Sequence, residues 1–236
     1  MKNALHSKLE TDTLDSRFLI YKKIIIGFFT TALLVALFIF GQTANADNTN
    51  PAEQDKARNF IETFANRAIQ ILNNKELSED QAFQEYRTIL NEGFALDYIA
   101  KISLSRHRNK ASNQELDEYY RLFPEFLLKV NSARLKKLDT TKVVIDKVTP
   151  HGDKSDIFIR TKIFNSQNKA YDVDWRVRSD NNGVVKIIDV KIEGISLVAT
   201  QRDDFTALIT RSGVGGLNQY MKDIIDGTVI AQNDES

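Results

Sequence analysis

The sequence predicts an α+β fold in which a four-stranded antiparallel curved sheet is packed by about six helices. Three observations predict this fold. Apolar residues recur with a helical period as far as residue 138, with a period of two from residue 141 to 193, and with a helical period again from residue 197. The turns between the strands are short, which favours an antiparallel meander. Helices grouped before and after such a meander pack on it around one core.

The N-terminal residues predict a signal peptide. Lys22 and Lys23 precede an apolar run, Ile24–Phe40, and the run is followed by Ala44 and Ala46 in a small-x-small cleavage pattern. We therefore expect cleavage after Ala46. The alternative is a retained membrane anchor, because the apolar run is at the short limit for spanning a bilayer. The predicted divisions are a signal peptide at 1–46, a flexible segment at 47–56, a folded domain at 57–226 and a flexible tail at 227–236.

Four helices are predicted before the strands. The first has an apolar face from Phe60 to Leu72, and Ser78 caps the second, which Gly93 ends. The third is predicted at residues 94–102. The fourth begins at a capping box and continues to residue 138, with a proline inside that we expect to kink it. Ser112 and Glu115 form the predicted capping box, and Pro124 is the proline at which the kink is expected.

The sheet and the last helices complete the fold. Along the third strand Val173 and Trp175 share one face with other apolar residues, whereas the alternate positions are charged. One face of the sheet is therefore expected beneath helices and the other largely in water. The predicted strands are residues 141–149, 155–164, 170–179 and 184–193, and the last two helices are residues 197–210 and 213–225.

The composition excludes several kinds of chemistry. The chain has no cysteine, so it has no disulfide, no thiol nucleophile and no cysteine-ligated metal. Its 32 basic residues match its 32 acidic residues, which argues against a nucleic-acid partner. His107 and His151 have no metal-ligand spacing, and we expect both on the surface. We expect no catalytic residue, no metal and no cofactor. The glycine-rich start of the last helix, residues 213–216, could cradle a phosphate or could be a tight turn.

Three segments at the end of the sheet carry a family resemblance. They are Val173–Val177 (VDWRV), Lys186–Leu197 (KIIDVKIEGISL) and Arg202–Phe205 (RDDF). Together they resemble the MlaC family of exported toluene-tolerance and ABC-transporter auxiliary proteins. The resemblance covers residues 57–222. The family's L-G-x-x-W-R motif appears here as residues 104–108 without its glycine and tryptophan.

The resemblance implies a lipid carrier. Members of this family are similar to periplasmic proteins that bury the acyl chains of a phospholipid in an apolar cavity between the sheet and the helices. They exchange it between an outer-membrane lipoprotein complex and an inner-membrane MCE-domain ABC transporter, which maintains outer-membrane asymmetry. A hopanoid-associated relative, an inner-membrane-anchored adaptor and a small periplasmic enzyme are the alternatives.

The resemblance also implies site residues in two groups. The residues expected to contact lipid are large and apolar or aromatic: Tyr98, Ile99, Phe123, Phe126, Leu127, Val173, Trp175, Ile188, Val190, Leu197, Phe205 and Leu208. The residues expected to hold the strand-to-helix junction are Asp189, Glu193, Gly194, Ser196 and Arg202. We expect Gly194 to lie where a side chain would crowd the backbone, and Glu193, Ser196 and Arg202 to cap the helix or to pair with each other.

Overall fold

A computed structural model describes residues 50–136, 139–151 and 156–228 of the chain. The predicted signal peptide and most of the predicted tail lie outside these residues. The described residues form five α-helices, one 3-10 helix and five strands. The helices are α1 (Pro51–Asn73), α2 (Glu79–Gly93), α3 (Leu96–Leu104), the 3-10 helix (Ser105–Lys110), α4 (Asn113–Lys136) and α5 (Leu197–Asp226). The strands are β1 (Lys142–His151), β2 (Asp156–Phe164), β3 (Ala170–Ser179), β4 (Val185–Ile192) and β5 (Ile195–Ser196).

The helix starts follow local capping chemistry. Asn50 caps α1 by accepting a hydrogen bond from the Ala52 amide, and a proline follows at the first helical position. Residues 51–56 are therefore helical, although the sequence predicted a flexible segment there. Ser78 and Gln81 form a complete capping box at α2. The predicted capping box of α4 is also formed, and the helix continues through its internal proline.

The sheet is an antiparallel meander in the order β1-β2-β3-β4-β5. The four predicted strands are present, and the prediction missed β5, which pairs Ile195 with Ile192 of β4. A strand of two residues is too short to produce an alternating pattern, so no sequence signal could reveal it. At the other end of β4, the Ala95 amide donates a hydrogen bond to the Ile187 carbonyl. The outer edge of β4 is thus paired at both ends.

The last two predicted helices form one element, α5, with a break at Gly213. The backbone angles there are φ 71° and ψ −179°, a region that only glycine adopts readily. The chain therefore changes direction within α5 without an intervening loop. This joining explains why about six helices were predicted and five α-helices are found.

The apolar interior is divided among three clusters. The helix core lies between α3, α4 and α5 and includes Tyr119, Phe123 and Phe205. The sheet core lies between α1 and the sheet and includes Ile61 and Trp175. A third cluster joins α1, α2 and α4. Within the described ranges, no helix combines the length and the apolar character needed to cross a membrane.

Candidate functional site

The sheet core is an ordered apolar layer with one internal polar link. Trp175 lies on the α1 side of β3, and its indole Nε1 donates a hydrogen bond of 3.0 Å to Thr161 Oγ1. Thr161 in turn donates to the carbonyl of Val173, also at 3.0 Å. Both side chains are buried, so each polar atom needs a partner inside the protein. The link fixes the orientation of the indole against α1.

Aromatic rings connect the clusters. Phe64 of α1 makes edge contacts with Phe94, at 5.8 Å between ring centroids, and with Trp175, at 5.9 Å. Phe94 lies between α2 and α3 and packs against both the helix core and the sheet core. Its place makes it the residue at which the two cores meet. A Cβ atom on Gly93 would lie 2.2 Å from the Phe64 ring, so this junction depends on glycine at position 93.

The helix core is built around a group of mutually tilted aromatic rings. Tyr119 and Phe205 lie 6.1 Å apart in an edge arrangement, and Phe126 lies 5.8 Å from Phe205. The Tyr119 hydroxyl donates to the Ala100 carbonyl at 2.9 Å, which ties α4 to α3. Burial raises the pKa of Tyr119 well above its ordinary value, so the phenol stays protonated.

The residues predicted to contact lipid are split between the two cores. Four belong to the helix core, with Leu127 packed at its margin, and three belong to the sheet core. Tyr98, Ile188, Leu197 and Leu208 belong to neither core, and Leu197 is 47% exposed. The helix-core members are Ile99, Phe123, Phe126 and Phe205, and the sheet-core members are Val173, Trp175 and Val190.

Two concavities among the described residues are open grooves with polar residues. One, of about 380 Å³, runs between α1 and β1 and includes Arg58, Glu62 and Lys142. The other, of about 300 Å³, lies at the end of α1 and includes Arg67 and Glu85. Neither groove contains a residue predicted to contact lipid. The enclosed apolar cavity therefore stays a prediction.

The face of the sheet opposite α1 carries a network of ion pairs. Asp156 is fully buried and accepts hydrogen bonds from the guanidinium groups of Arg176 and Arg178. Burial opposes its ionisation, but the two guanidinium groups outweigh this effect and hold the pKa of Asp156 below its ordinary value. Arg178 also lies over the ring of Tyr98, at 4.8 Å. Asp156 is one of the strand aspartates that the sequence predicts on the solvent face of the sheet, and its burial corrects that expectation.

The junction between β4 and α5 is held by Asp189 and Ser196. Ser196 caps α5 by accepting from the Ala199 amide at 3.0 Å, and its hydroxyl donates to Asp189 at 2.7 Å. Asp189 also accepts from the Val198 amide, so its carboxylate lies at the positive end of α5. Asp189 is 8% exposed, although its alternation with apolar residues along the strand predicts a solvent-facing carboxylate. Ser196 performs the capping role predicted for it.

The other predicted junction residues act differently. Glu193 accepts a hydrogen bond from the Asp172 amide, and Arg202 pairs with its neighbour Asp203. Neither caps α5. A Cβ atom on Gly194 would meet nothing within 4 Å, so crowding does not explain this glycine. Its φ of 82° does, because the turn into β5 requires a conformation that side chains disfavour.

The residues considered for polar chemistry are held in structural contacts. The Gly215 amide donates to Glu115 at 2.9 Å, so a carboxylate of the chain itself occupies the place where a phosphate could have bound. Ser112 and Gly215 lower the pKa of Glu115 by hydrogen bonding to its carboxylate. His107 is less exposed than predicted, since its Nε2 is buried. In the part of the chain that the structure describes, no cluster of three or more His, Asp or Glu residues is placed to hold a metal.

Sequence reasoning missed the residues that join the clusters. Phe64 and Phe94 are separated by thirty positions in the chain, and periodicity assigned each only to its own helix. In the sequence, Gly93 before an aromatic residue predicts only the end of a helix. Asp156 begins a strand beside a turn, and nothing in the sequence shows that two arginines of the next strand enclose it. These contacts depend on strand register and helix placement, which a single sequence does not encode locally.

Comparison with known proteins identifies the family. The fold is similar to that of a phospholipid-binding protein from Ralstonia solanacearum solved in complex with a phospholipid, with a TM-score of 0.61 and 20% sequence identity. The match covers 72% of this chain and 97% of that one. The family described as MlaC protein matches residues 62–223, which include α2, α3, α4, the whole sheet, the second half of α1 and most of α5. This chain therefore belongs to the MlaC family.

Proposed function

We propose that this protein is a periplasmic carrier that binds a phospholipid with its acyl chains buried. It exchanges the lipid between an outer-membrane lipoprotein complex and an inner-membrane MCE-domain ABC transporter, and so contributes to outer-membrane asymmetry. Membership of the MlaC family and the shared fold of a phospholipid-bound protein support a binding or transport role. The predicted cleavage after Ala46 supports export as a soluble protein.

The observation that carries the proposal is the division of the apolar interior at Phe94. The helix core and the sheet core are each lined by large apolar side chains, and Phe94 packs against both. If the helix core and the sheet core move apart at Phe94, each core exposes apolar side chains. The acyl chains of a lipid could cover these two apolar surfaces. In the framework of the proposal, Ile99 and Phe205 contact the lipid from the helices, and Val173 and Trp175 contact it from the sheet.

The energetics explain why a carrier is needed and why it makes no covalent bond. Burying a methylene group contributes about 0.8 kcal/mol, so two acyl chains of about sixteen carbons contribute roughly 25 kcal/mol. A free phospholipid therefore leaves a membrane very slowly. A carrier must match the membrane closely in free energy, because a tighter site would not release its cargo.

The test is the lipid content of the purified protein. Organic extraction followed by mass spectrometry should recover phospholipid in an amount comparable to the protein, and the loaded protein should deliver it to acceptor vesicles. A polycyclic neutral lipid in place of phospholipid would identify the hopanoid-associated relative. If the extract holds no more lipid than that of an unrelated exported protein prepared in the same way, the proposal is wrong.

A matched pair of variants tests the place of binding. Leu127→Trp adds a ring at the margin of the helix core, whereas Leu90→Trp adds the same ring at the margin of the third cluster. With both variants folded by circular dichroism, Leu127→Trp should copurify with less phospholipid than the wild type, and Leu90→Trp should not. Equal lipid in both variants would exclude the helix core as the lining.

A further inference from the structure

Four exposed cations lie close together at the end of α3 and on the 3-10 helix. They are Lys101, Arg106, Arg108 and Lys110, and we call them the basic segment. The chain has no acidic residue from position 98 to position 114. This local excess stands out because basic and acidic residues are equal in number over the whole chain, at 32 each.

The cations of the basic segment form no ion pair with another described residue, unlike many other arginines of this protein. Arg67, Arg87, Arg160, Arg176 and Arg178 each form an ion pair with a carboxylate. Among residues 50–136, 139–151 and 156–228, no carboxylate lies within ion-pair distance of the basic segment. No ion pair within this part of the chain therefore neutralises the positive charge of the segment.

Helix ends account for the position of part of this charge. Lys101 lies in the last turn of α3, and Arg108 and Lys110 lie in the last turn of the 3-10 helix, where cations are favourable. Arg108 and Lys110 also directly precede α4, whose positive N-terminal end does not favour them. His107 has its Nε2 buried, whereas the arginines on either side of it are exposed. The segment therefore turns its imidazole inward and its guanidinium groups outward.

We propose that the basic segment docks this protein on the anionic headgroups of a phospholipid bilayer. The inference rests on the proposed function, since a lipid carrier must meet a membrane or a complex within one. Neither groove described above includes a residue of the segment, and its four cations lie on an exposed surface. Long, unpaired and exposed cations suit the many dispersed phosphates of a membrane surface, and each contributes about fivefold to the affinity for such a surface.

Vesicle binding tests the proposal. The soluble protein, purified after expression of the full-length chain, is sedimented with vesicles of phosphatidylcholine mixed with phosphatidylglycerol and with vesicles of phosphatidylcholine alone. We expect binding to the anionic vesicles only, and we expect it to weaken when salt is raised from about 0.05 M to about 0.5 M, because salt screens exposed charges. Equal binding to both kinds of vesicle would overturn the proposal.

Two quadruple variants with the same change in charge locate the surface. The first carries Lys101→Gln, Arg106→Gln, Arg108→Gln and Lys110→Gln. The control carries Lys75→Gln, Lys129→Gln, Lys147→Gln and Arg211→Gln, which are also exposed and have no ion pair among the described residues. The first variant should lose more than about tenfold in affinity for anionic vesicles, and the control should lose less than about threefold.

The two proposals fail in different ways. Equal losses in the two variants would show a general effect of charge, and binding of the first variant at the wild-type level would point to another surface; either result overturns docking by the basic segment. The phospholipid extracted from the first variant should equal that of the wild type, because none of the four side chains is in either core. Absence of lipid from the wild-type protein overturns the proposed function and leaves the vesicle result to decide the docking proposal alone.

Discussion

Asp156 shows how a single residue can hold part of the sheet. Its side chain is buried, and its only strong partners among the described residues are the guanidinium groups of Arg176 and Arg178 on β3. If the Asp156 carboxylate is removed, Arg176 and Arg178 remain close together without a negative charge between them. Since those arginines stay about one-third exposed, water compensates part of the loss.

We expect Asp156→Asn to lower the free energy of unfolding by about 3 kcal/mol near neutral pH. Urea denaturation measures the change. Asp172→Asn is the matched control on the same face, because Asp172 pairs with an exposed lysine, and it should cost less than about 1 kcal/mol. If the two substitutions lower the free energy of unfolding equally, the buried ion pairs of Asp156 stabilise the protein no more than an exposed ion pair does.

The stabilisation by Asp156 also depends on pH. Its pKa is lower in the folded protein than the ordinary value of 3.8, so the folded state binds its proton less readily than the unfolded state. The contribution is therefore complete above that value and is lost as pH falls through the lowered pKa. The difference in unfolding free energy between wild type and Asp156→Asn should shrink when urea denaturation is repeated at progressively lower pH below 3.8. A difference that stays constant contradicts this assignment.

At the scale of elements, α5 depends on Gly213. The break at this residue lets the first half of α5 follow Ser196 and lets the second half present the Gly215 amide to Glu115 of α4. A Cβ atom at position 213 would meet nothing within 4 Å. The requirement for glycine is therefore conformational, not steric against other elements.

We expect Gly213→Ala to lower the free energy of unfolding by about 2 kcal/mol, because its backbone region is almost closed to alanine. Gly227→Ala is the control: that glycine has the same φ of 71° but an ordinary left-handed ψ of 16°, and its Cβ would also meet nothing. The control should cost about 1 kcal/mol. Thermal unfolding followed by circular dichroism compares them, and a larger loss at Gly227 would contradict the argument.

At the scale of the whole molecule, the helix core and the sheet core are coupled through Phe94. The chain has one tryptophan, Trp175, and it lies in the sheet core, so its fluorescence reports on that core. Far-ultraviolet circular dichroism reports mainly on the helices. The two signals can therefore follow the two parts of the protein in one experiment.

We expect both signals of the wild type to change at the same urea concentration, and we expect them to separate in Phe94→Ala, since this substitution removes packing from both cores at once. It should also cost about 3 kcal/mol. Phe60→Ala is the control, because Phe60 packs only in the sheet core, and its two transitions should stay coincident. Coincident transitions in Phe94→Ala would mean that other contacts couple the cores.

The parts of the fold that depend on local chemistry could be predicted from the sequence, and the parts that depend on placement could not. The strands, the capping boxes and the role of Ser196 follow from periodicity and from short side chains next to helix starts. The two-residue β5, the burial of Asp156 and the contact of Phe64 with Gly93 depend on which elements lie side by side. For the same reason the sequence does not predict that the residues expected to contact lipid divide between two cores, and their contact with lipid stays a prediction.

The contact between Gly93 and Phe64 restricts the order in which substitutions can accumulate at these positions. Alanine at position 93 would overlap the Phe64 ring while that ring is present. A smaller side chain at position 64 removes the overlap, so alanine can follow it at position 93 with little further loss. If alanine is introduced at position 93 first, the intermediate protein has the alanine methyl group at that position overlapping the Phe64 ring. Any lineage in which position 93 has gained a side chain should therefore also carry a smaller residue at position 64, acquired first.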